Sequence, residues 1–443
     1  MGPSPVPGGR RVWVLVTLGV LMLAALLLRL HTVWQRLSPT PDASVVQLVG
    51  DEVGYEALAD ALLHGAFFHS PARGPIYPLF IAAVYAMLGE RSPAKLLYIQ
   101  AFVGVTAIPL TYLLARCVTG SMPALVAAGL MAGDDGLIEQ ARMIYSEIVY
   151  HPLLLIALLA LLGALRTPRL GAFAWAGASM AVLTLCRPTT ALFPLVLPLL
   201  LPRDWPLKQQ VGGYLAYGLT MLALIAPWTY HNWCVYHRFL PLTVSTGVLW
   251  QGSPEFYHLT QHTPTHLEIW ANELNPQRNG GHDPNTIEGD QYFTQRGLRS
   301  IWAEPMVYVT YSLKKATYLW LGNPIAEWGY SDLYHWSRMR RWHPYPPLKL
   351  LNMFVVRQLP LIALGALGFL AVRQQLRPLT PLIALCMYFT LIHMITWAEL
   401  RHSQPLHPLL AIFVVTAGSV MLSTWGSRSR RTKNNDSSFH GQS

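Results

Sequence analysis

Ten apolar runs separated by short polar breaks constrain this chain more than any other feature. They cover residues 12–30, 96–114, 122–132, 148–165, 171–186, 190–201, 211–225, 350–372, 379–397 and 406–422. A helix needs about 20 residues to cross a bilayer, so the shorter runs must extend into flanking polar sequence. Lipid offers no partners to backbone N–H and C=O groups, and runs of this length satisfy them only as helices. The expected fold class is therefore all-α, a polytopic transmembrane bundle of about ten spans. With 12% charged and 52% hydrophobic residues, the chain lies far below the roughly 25% charge of soluble domains.

Basic residues give the sidedness. With a cytoplasmic N-terminus at residues 1–11, Arg116, Arg166, Arg169, Arg203, Lys208, Arg373, Arg377 and the basic stretch 428–433 all fall inside. This is the positive-inside pattern, and it accounts for the formal charge of +10 without nucleic acid, which is excluded as a partner. The pattern requires residues 77–88 to lie at the interface, because a crossing there would reverse every later loop. It assigns residues 12–425 to the membrane domain, with two large outer loops at 31–95 and 227–347, and residues 426–443 to a disordered cytoplasmic tail. The first run, preceded by Arg10 and Arg11, reads as a retained signal anchor. The large loop ends in a helix-like run, broken by Pro305 and bearing Lys314 and Lys315, that suits an interface.

The four cysteines have neither metal nor disulfide spacing, and the sixteen histidines contain no HExxH pattern. Chemistry must come from other polar groups, and these gather in the outer loops: Asp51, Glu52 and Arg73; Asp134, Asp135, Arg142 and Glu147; Arg187; Trp228, His231 and Asn232; Glu399, Arg401 and His402. The spans carry almost no charge, with Arg29 near the outer end of the first. A transporter would place charges facing a cavity within the bundle. One-sided clustering suits a reaction at the outer membrane face.

The order of motifs is specific where each alone is weak. An Asp-Glu pair in "GDEVGYEALADALLHG" is followed by "RGPIYP", "YSE", "CRP", "PWTYHNW", "STG" and "ELRHSQPLHP". Together, across residues 12–422, they resemble the dolichyl-phosphate-mannose protein mannosyltransferase-like superfamily, which includes bacterial aminoarabinose transferases. The resemblance implies a GT-C fold with outer juxtamembrane helices, a polyprenyl-phosphate sugar donor and inversion at the anomeric carbon. It implies Asp51 as general base and Glu147 as the acidic residue assisting at the second outer loop.

The residue types fit that chemistry. Attack by a hydroxyl on an anomeric carbon needs a carboxylate in hydrogen-bond reach, and the departing lipid phosphate needs cationic donors, for which Arg73, Arg187 and Arg401 are candidates. Tyr77, Trp228, His231 and Asn232 are further substrate-binding candidates, and Glu52 is carried with them although it faces another direction from Asp51 at a helix start. Asp134 and Asp135 are extra carboxylates that could hold a divalent cation; no other cofactor is implied. The sequence departs from the family's usual pattern at Gly74, Ile76, Asp134 and His231, where an Arg commonly stands in place of His231. The acceptor is left as lipid, glycan or protein, and the location as the inner membrane if the source is bacterial. A lipid-linked-sugar flippase or a non-catalytic accessory subunit with the same fold stays open, as does a plain N-cap role for Asp51.

Overall fold

The structure is a computed structural model that describes residues 8–38, 46–66, 68–262, 266–279, 281–321 and 377–422. Among these residues the regular elements are all helices. The apolar runs form α1 (Gly8–Leu37), α4 (Pro93–Arg116), α5 (Ser121–Ala132), α6 (Glu147–Ala164), α7 (Leu170–Cys186), α8 (Leu207–Tyr236), α11 (Thr380–Ile395) and α12 (Leu400–Leu422). Between them lie α2 (Asp51–Leu63), α3 (Ile76–Leu88), α9 (Ile287–Ala303) and α10 (Pro305–Leu321).

Five helices, α1, α4, α6, α8 and α12, are long and apolar enough to cross a membrane. The expected ten spans are thus not all met by length: α5, α7, α11 and the Pro188–Leu200 segment are shorter apolar helices. The expected span at 350–372 and the tail at 426–443 lie outside the described residues. Exposed apolar side chains line α1 (Val12, Leu15, Val16, Val20, Leu23) and α8 (Leu215, Leu219, Leu222), as contact with lipid rather than water requires.

Small residues set how closely the helices approach. A Cβ on Gly177 of α7 would sit 2.2 Å from the Tyr217 carbonyl of α8, so only glycine allows this contact. The main core is built from the buried sides of α1, α4–α8, α11 and α12. A second, mostly aromatic core of Trp250, Phe256, Ile269, Phe293, Tyr311 and Trp397 holds the described residues between 248 and 321 together and reaches the residues after α11.

The two ends of the bundle differ. At one, Arg166 donates to the Cys117 carbonyl at 2.7 Å, joining the ends of α4 and α6. The other gathers the C-terminus of α1, the short helices α2 and α3, the starts of α6 and α12 and the end of α7. Residues 77–88, expected to lie at an interface, fall within the 13-residue helix α3 (Ile76–Leu88). Glycines shape this end: Gly50, at φ 58°, opens α2, and Gly89, left-handed at φ 69°, closes α3.

Candidate active site

Asp51 is the first residue of α2, so its side chain projects from the helix start rather than along a packed face. Its side chain is 35% exposed and is held from two sides. Arg73 donates to Oδ1 at 2.6 Å and Arg401, at the start of α12, donates to Oδ2 at 3.3 Å. Burial pushes the Asp51 carboxyl up, but the Arg73 and Arg401 guanidiniums outweigh it and hold it below the usual carboxylate range. Glu147 and Arg187 also act on it electrostatically, which places all five groups in one cluster.

Glu147 opens α6, nearly buried, and pairs with Arg187, which follows the last residue of α7. Arg401 is shared: its Nε donates to Glu399 at 2.8 Å while Nη1 faces Asp51. Glu399 in turn accepts from Trp397 Nε1 at 2.6 Å. Aromatic faces cover the arginines, Tyr55 at 4.9 Å from the Arg73 guanidinium carbon, Tyr145 at 5.7 Å from that of Arg401 and Tyr150 at 5.9 Å from that of Arg187. Burial pushes the Tyr145 hydroxyl up to about 12, so it stays protonated as a donor. Sequence reasoning placed Glu399 in the outer cluster without giving it a role, and it missed Tyr55 and Tyr145 as site residues, although Tyr145 opens "YSE".

The "RGPIYP" and "CRP" motifs meet through backbone. A Cβ on Gly74 would lie 2.2 Å from the Leu185 carbonyl and 3.2 Å from that of Cys186. This close approach brings Arg73 and Arg187 to the same cluster. It also gives a physical reason for glycine where the family pattern differs.

The other candidates fall elsewhere. Glu52 is fully buried and paired with Arg36 of α1, Nη1 to Oε1 at 2.7 Å and Nη2 to Oε2 at 2.8 Å. It also accepts from the Val49 and Ile144 backbone N–H groups at 3.0 and 2.9 Å, and Arg36 also donates to the Arg142 carbonyl. Every bond known for Glu52 anchors the loop. Tyr77 is buried, with its hydroxyl on Gln100 Oε1 at 3.1 Å and its ring edge-on to Tyr55.

"PWTYHNW" forms a clamp. Trp228 Nε1 donates to the Leu242 carbonyl at 2.7 Å, and Asn232 Nδ2 donates to the Leu240 and Leu242 carbonyls at 2.9 Å each. His231 stacks on Trp228 and lies 3.3 Å from the Phe68 carbonyl. The Val244 N–H donates to the Pro71 carbonyl at 2.9 Å, so the clamped segment supports the stretch leading to Arg73.

Asp134 is buried inside the bundle, accepting from the Leu137 N–H at 2.9 Å and facing His407 Nδ1 at 2.8 Å. Arg29 is also fully buried, donating to the Ala25 carbonyl at 3.0 Å. Asp134 thus caps the short helix Asp135–Glu139 and pairs with α12 rather than lying exposed in an outer loop. Asp135 stands at the start of a short helix, and among the described residues no three His, Cys, Asp or Glu side chains are grouped to hold a metal ion.

Among solved structures, the chain is similar to the oligosaccharyltransferase AglB of Archaeoglobus fulgidus in complex with an inhibitory peptide and a dolichol-phosphate. The TM-score is 0.56 at 16% identity, covering 96% of this chain and 52% of that one. It is also similar to the A. fulgidus oligosaccharyltransferase in its apo form, with a TM-score of 0.57 at 16% identity, covering 97% and 53%. This chain thus spans about half the length of those enzymes. ArnT from Cupriavidus metallidurans, bound to undecaprenyl phosphate, is a weaker likeness that adds nothing to the fold assignment, with a TM-score of 0.41 at 14% identity, covering 92% and 77%. Among curated proteins, no sequence matches significantly. The chain has the fold of the GT-C glycosyltransferases, and within it residues 71–231 match the dolichyl-phosphate-mannose-protein mannosyltransferase family.

Proposed function

We infer that this integral membrane protein is a glycosyltransferase that moves a sugar from a polyprenyl-phosphate donor to a lipid, glycan or protein acceptor at the outer face of the membrane. The observation that carries the reading is Asp51: a half-exposed carboxylate, held between arginines from two distant segments, with a second carboxylate–arginine pair beside it. The family match contains Arg73, Glu147 and Arg187 but not Asp51 or Arg401, and folding brings all five together.

The chemistry follows from the arrangement. Asp51 takes the proton of the acceptor hydroxyl as its oxygen bonds the anomeric carbon. The bond from that carbon to the phosphate oxygen breaks on the opposite face, giving inversion, and the electron pair leaves on the polyprenyl phosphate. Arg73, Arg187 and Arg401 are the cations available to that phosphate, and a guanidinium can meet it with two parallel hydrogen bonds. A phosphate departs without protonation, so Glu147 serves to orient Arg187 and the acceptor rather than as an acid. As the phosphate draws Arg73 and Arg401 toward itself, Asp51 loses their hold and becomes a stronger base.

The basic residues at the opposite end of the bundle support an outward-facing site, through the positive-inside rule. The test is Asp51→Asn in the full chain, inserted in membranes. Envelope glycans and lipids are compared by mass spectrometry in cells carrying the unsubstituted protein, the variant or no copy of the gene. The variant is expected to match the deletion, with a sugar missing and its polyprenyl-phosphate form accumulated. A variant indistinguishable from the unsubstituted protein removes Asp51 as the base.

A further inference from the structure

Lys315, on α10, is fully buried and lies outside the charge cluster. Its ammonium donates to the carbonyls of Gly252 and Thr396, at 2.8 Å each, and faces that of Ile395 at 3.5 Å. Three acceptors match its three N–H bonds. The rings of Tyr311 and Tyr308 cover it at 4.8 and 5.2 Å. Burying an ammonium without a carboxylate is costly, and here it meets the last carbonyl of α11, where the helix dipole favours a cation.

Gly252 is built to the same contact. A Cβ there would sit 2.5 Å from the Thr396 carbonyl, 2.7 Å from that of Ile395 and 2.9 Å from Lys315 Nζ. The chain then runs directly into the site. Trp397 packs on Phe256 at 5.2 Å and donates to Glu399, which accepts from Arg401, which donates to Asp51.

We propose that Lys315 is a positioning residue: its ammonium locks residue 252 to residues 395–396 and so sets where the segment 397–401 presents Arg401 to Asp51. This rests on the reading of Asp51 and Arg401 as reaction machinery.

The groups around Lys315 leave its charge to burial. Its own helix contributes Tyr308, Tyr311 and Lys314, the last turned to Tyr257. The packed segments contribute Tyr257 and Glu255 on one side and His393, Glu399, Arg401 and His402 on the other. Beside the ring contacts of Tyr308 and Tyr311 no charged group of this set shifts it, and burial brings its pKa down to about 7. The ammonium clamp is therefore complete below about pH 7 and loses a donor as pH rises through it. Stability moves oppositely: between pH 7 and the ordinary lysine range the unfolded chain binds the extra proton, so stability rises with pH.

The experiment measures affinity of the full chain, in lipid nanodiscs, for undecaprenyl phosphate. Lys315→Met is expected to weaken binding by about tenfold, within the range that misplaced groups cost. Arg401→Ala is expected to weaken it at least as much, and the double variant no more than Arg401→Ala alone, because Lys315 acts through Arg401. Additive losses overturn the proposal, as does unchanged binding in Lys315→Met when Arg401→Ala binds weakly. Unchanged binding in Arg401→Ala refutes the reading of the site instead. Gly252→Ala attacks the same clamp from the other side and should reproduce Lys315→Met. Should neither fold, the unsubstituted protein decides between pH 7 and 9, where the phosphomonoester is already dianionic: affinity is expected to fall several-fold while the thermal midpoint rises. A flat affinity overturns the proposal.

Discussion

Arg401 and Asp51 are 350 positions apart in sequence, yet the Arg401 guanidinium reaches the Asp51 carboxylate at 3.3 Å while its other edge holds Glu399 at 2.8 Å. One planar group thus ties the start of α12 to the start of α2. A lysine offers a single charged point and cannot span both acids. On the proposed reaction, Arg401→Ala should lower kcat/KM by about 10²–10³-fold, the range for removing one donor from a developing anion. Arg401→Lys should recover only part of that. Initial rates of sugar transfer check both, and a lysine variant at full rate would show that charge alone is needed.

The two arginines on Asp51 also set its response to pH. Its folded pKa lies below the unfolded value of about 3.9. The stability it contributes is therefore complete above that value and is lost as pH falls through the lower folded one. The acid limb of kcat/KM from Asp51 should accordingly lie below the ordinary carboxylate range. Arg73→Gln leaves burial opposed mainly by Arg401, so the limb should move to higher pH as the maximal rate falls. If the limb does not move in that variant, Asp51 is not the titrating base.

Gly74 tests the backbone that carries Arg73. A methyl at this position meets the Leu185 carbonyl, a backbone atom that cannot swing aside. Gly74→Ala should cost about 1–3 kcal/mol, as overpacking does, and should lower transfer further by separating Arg73 from Arg187. Thermal unfolding together with rates reads both effects, and an alanine variant with unchanged stability and rate would deny the close approach.

The fold class was legible because apolar runs in lipid have one backbone solution; sidedness is an expectation that rests on arginine placement alone. The number of full spans was less so: composition cannot tell a helix of 12 residues at 121–132 from one extended by polar flanks. Of the site, Asp51, Arg73, Glu147, Arg187 and Arg401 were named from motif order and residue chemistry. Which of them touch was not readable, because Arg401 meets Asp51 only through the packing of α12 against the loops. "PWTYHNW" looked like a substrate motif, yet its Trp228 and Asn232 donors are spent on backbone carbonyls at 240–242, since a returning loop with no strand partner must satisfy those carbonyls somehow.

Adjacent acids give the sharpest contrast. Asp51 and Glu52 differ by one position at the start of a helix, so their side chains diverge by about 100°. One stays half-exposed in the charge cluster, and the other turns inward to Arg36 and two backbone N–H groups. Removing one member of a buried pair leaves the other charge uncompensated, at about 3–5 kcal/mol. Glu52→Ala should therefore reduce the folded yield and thermal midpoint sharply, whereas Asp51→Asn, which gives up the ion pairs of a partly exposed carboxylate, should lower both much less while stopping transfer. Glu52→Gln, which keeps the shape and one acceptor oxygen, should fall between in stability and retain transfer in the fraction that folds. A folded Glu52→Gln protein as inactive as Asp51→Asn would assign the chemistry to both acids.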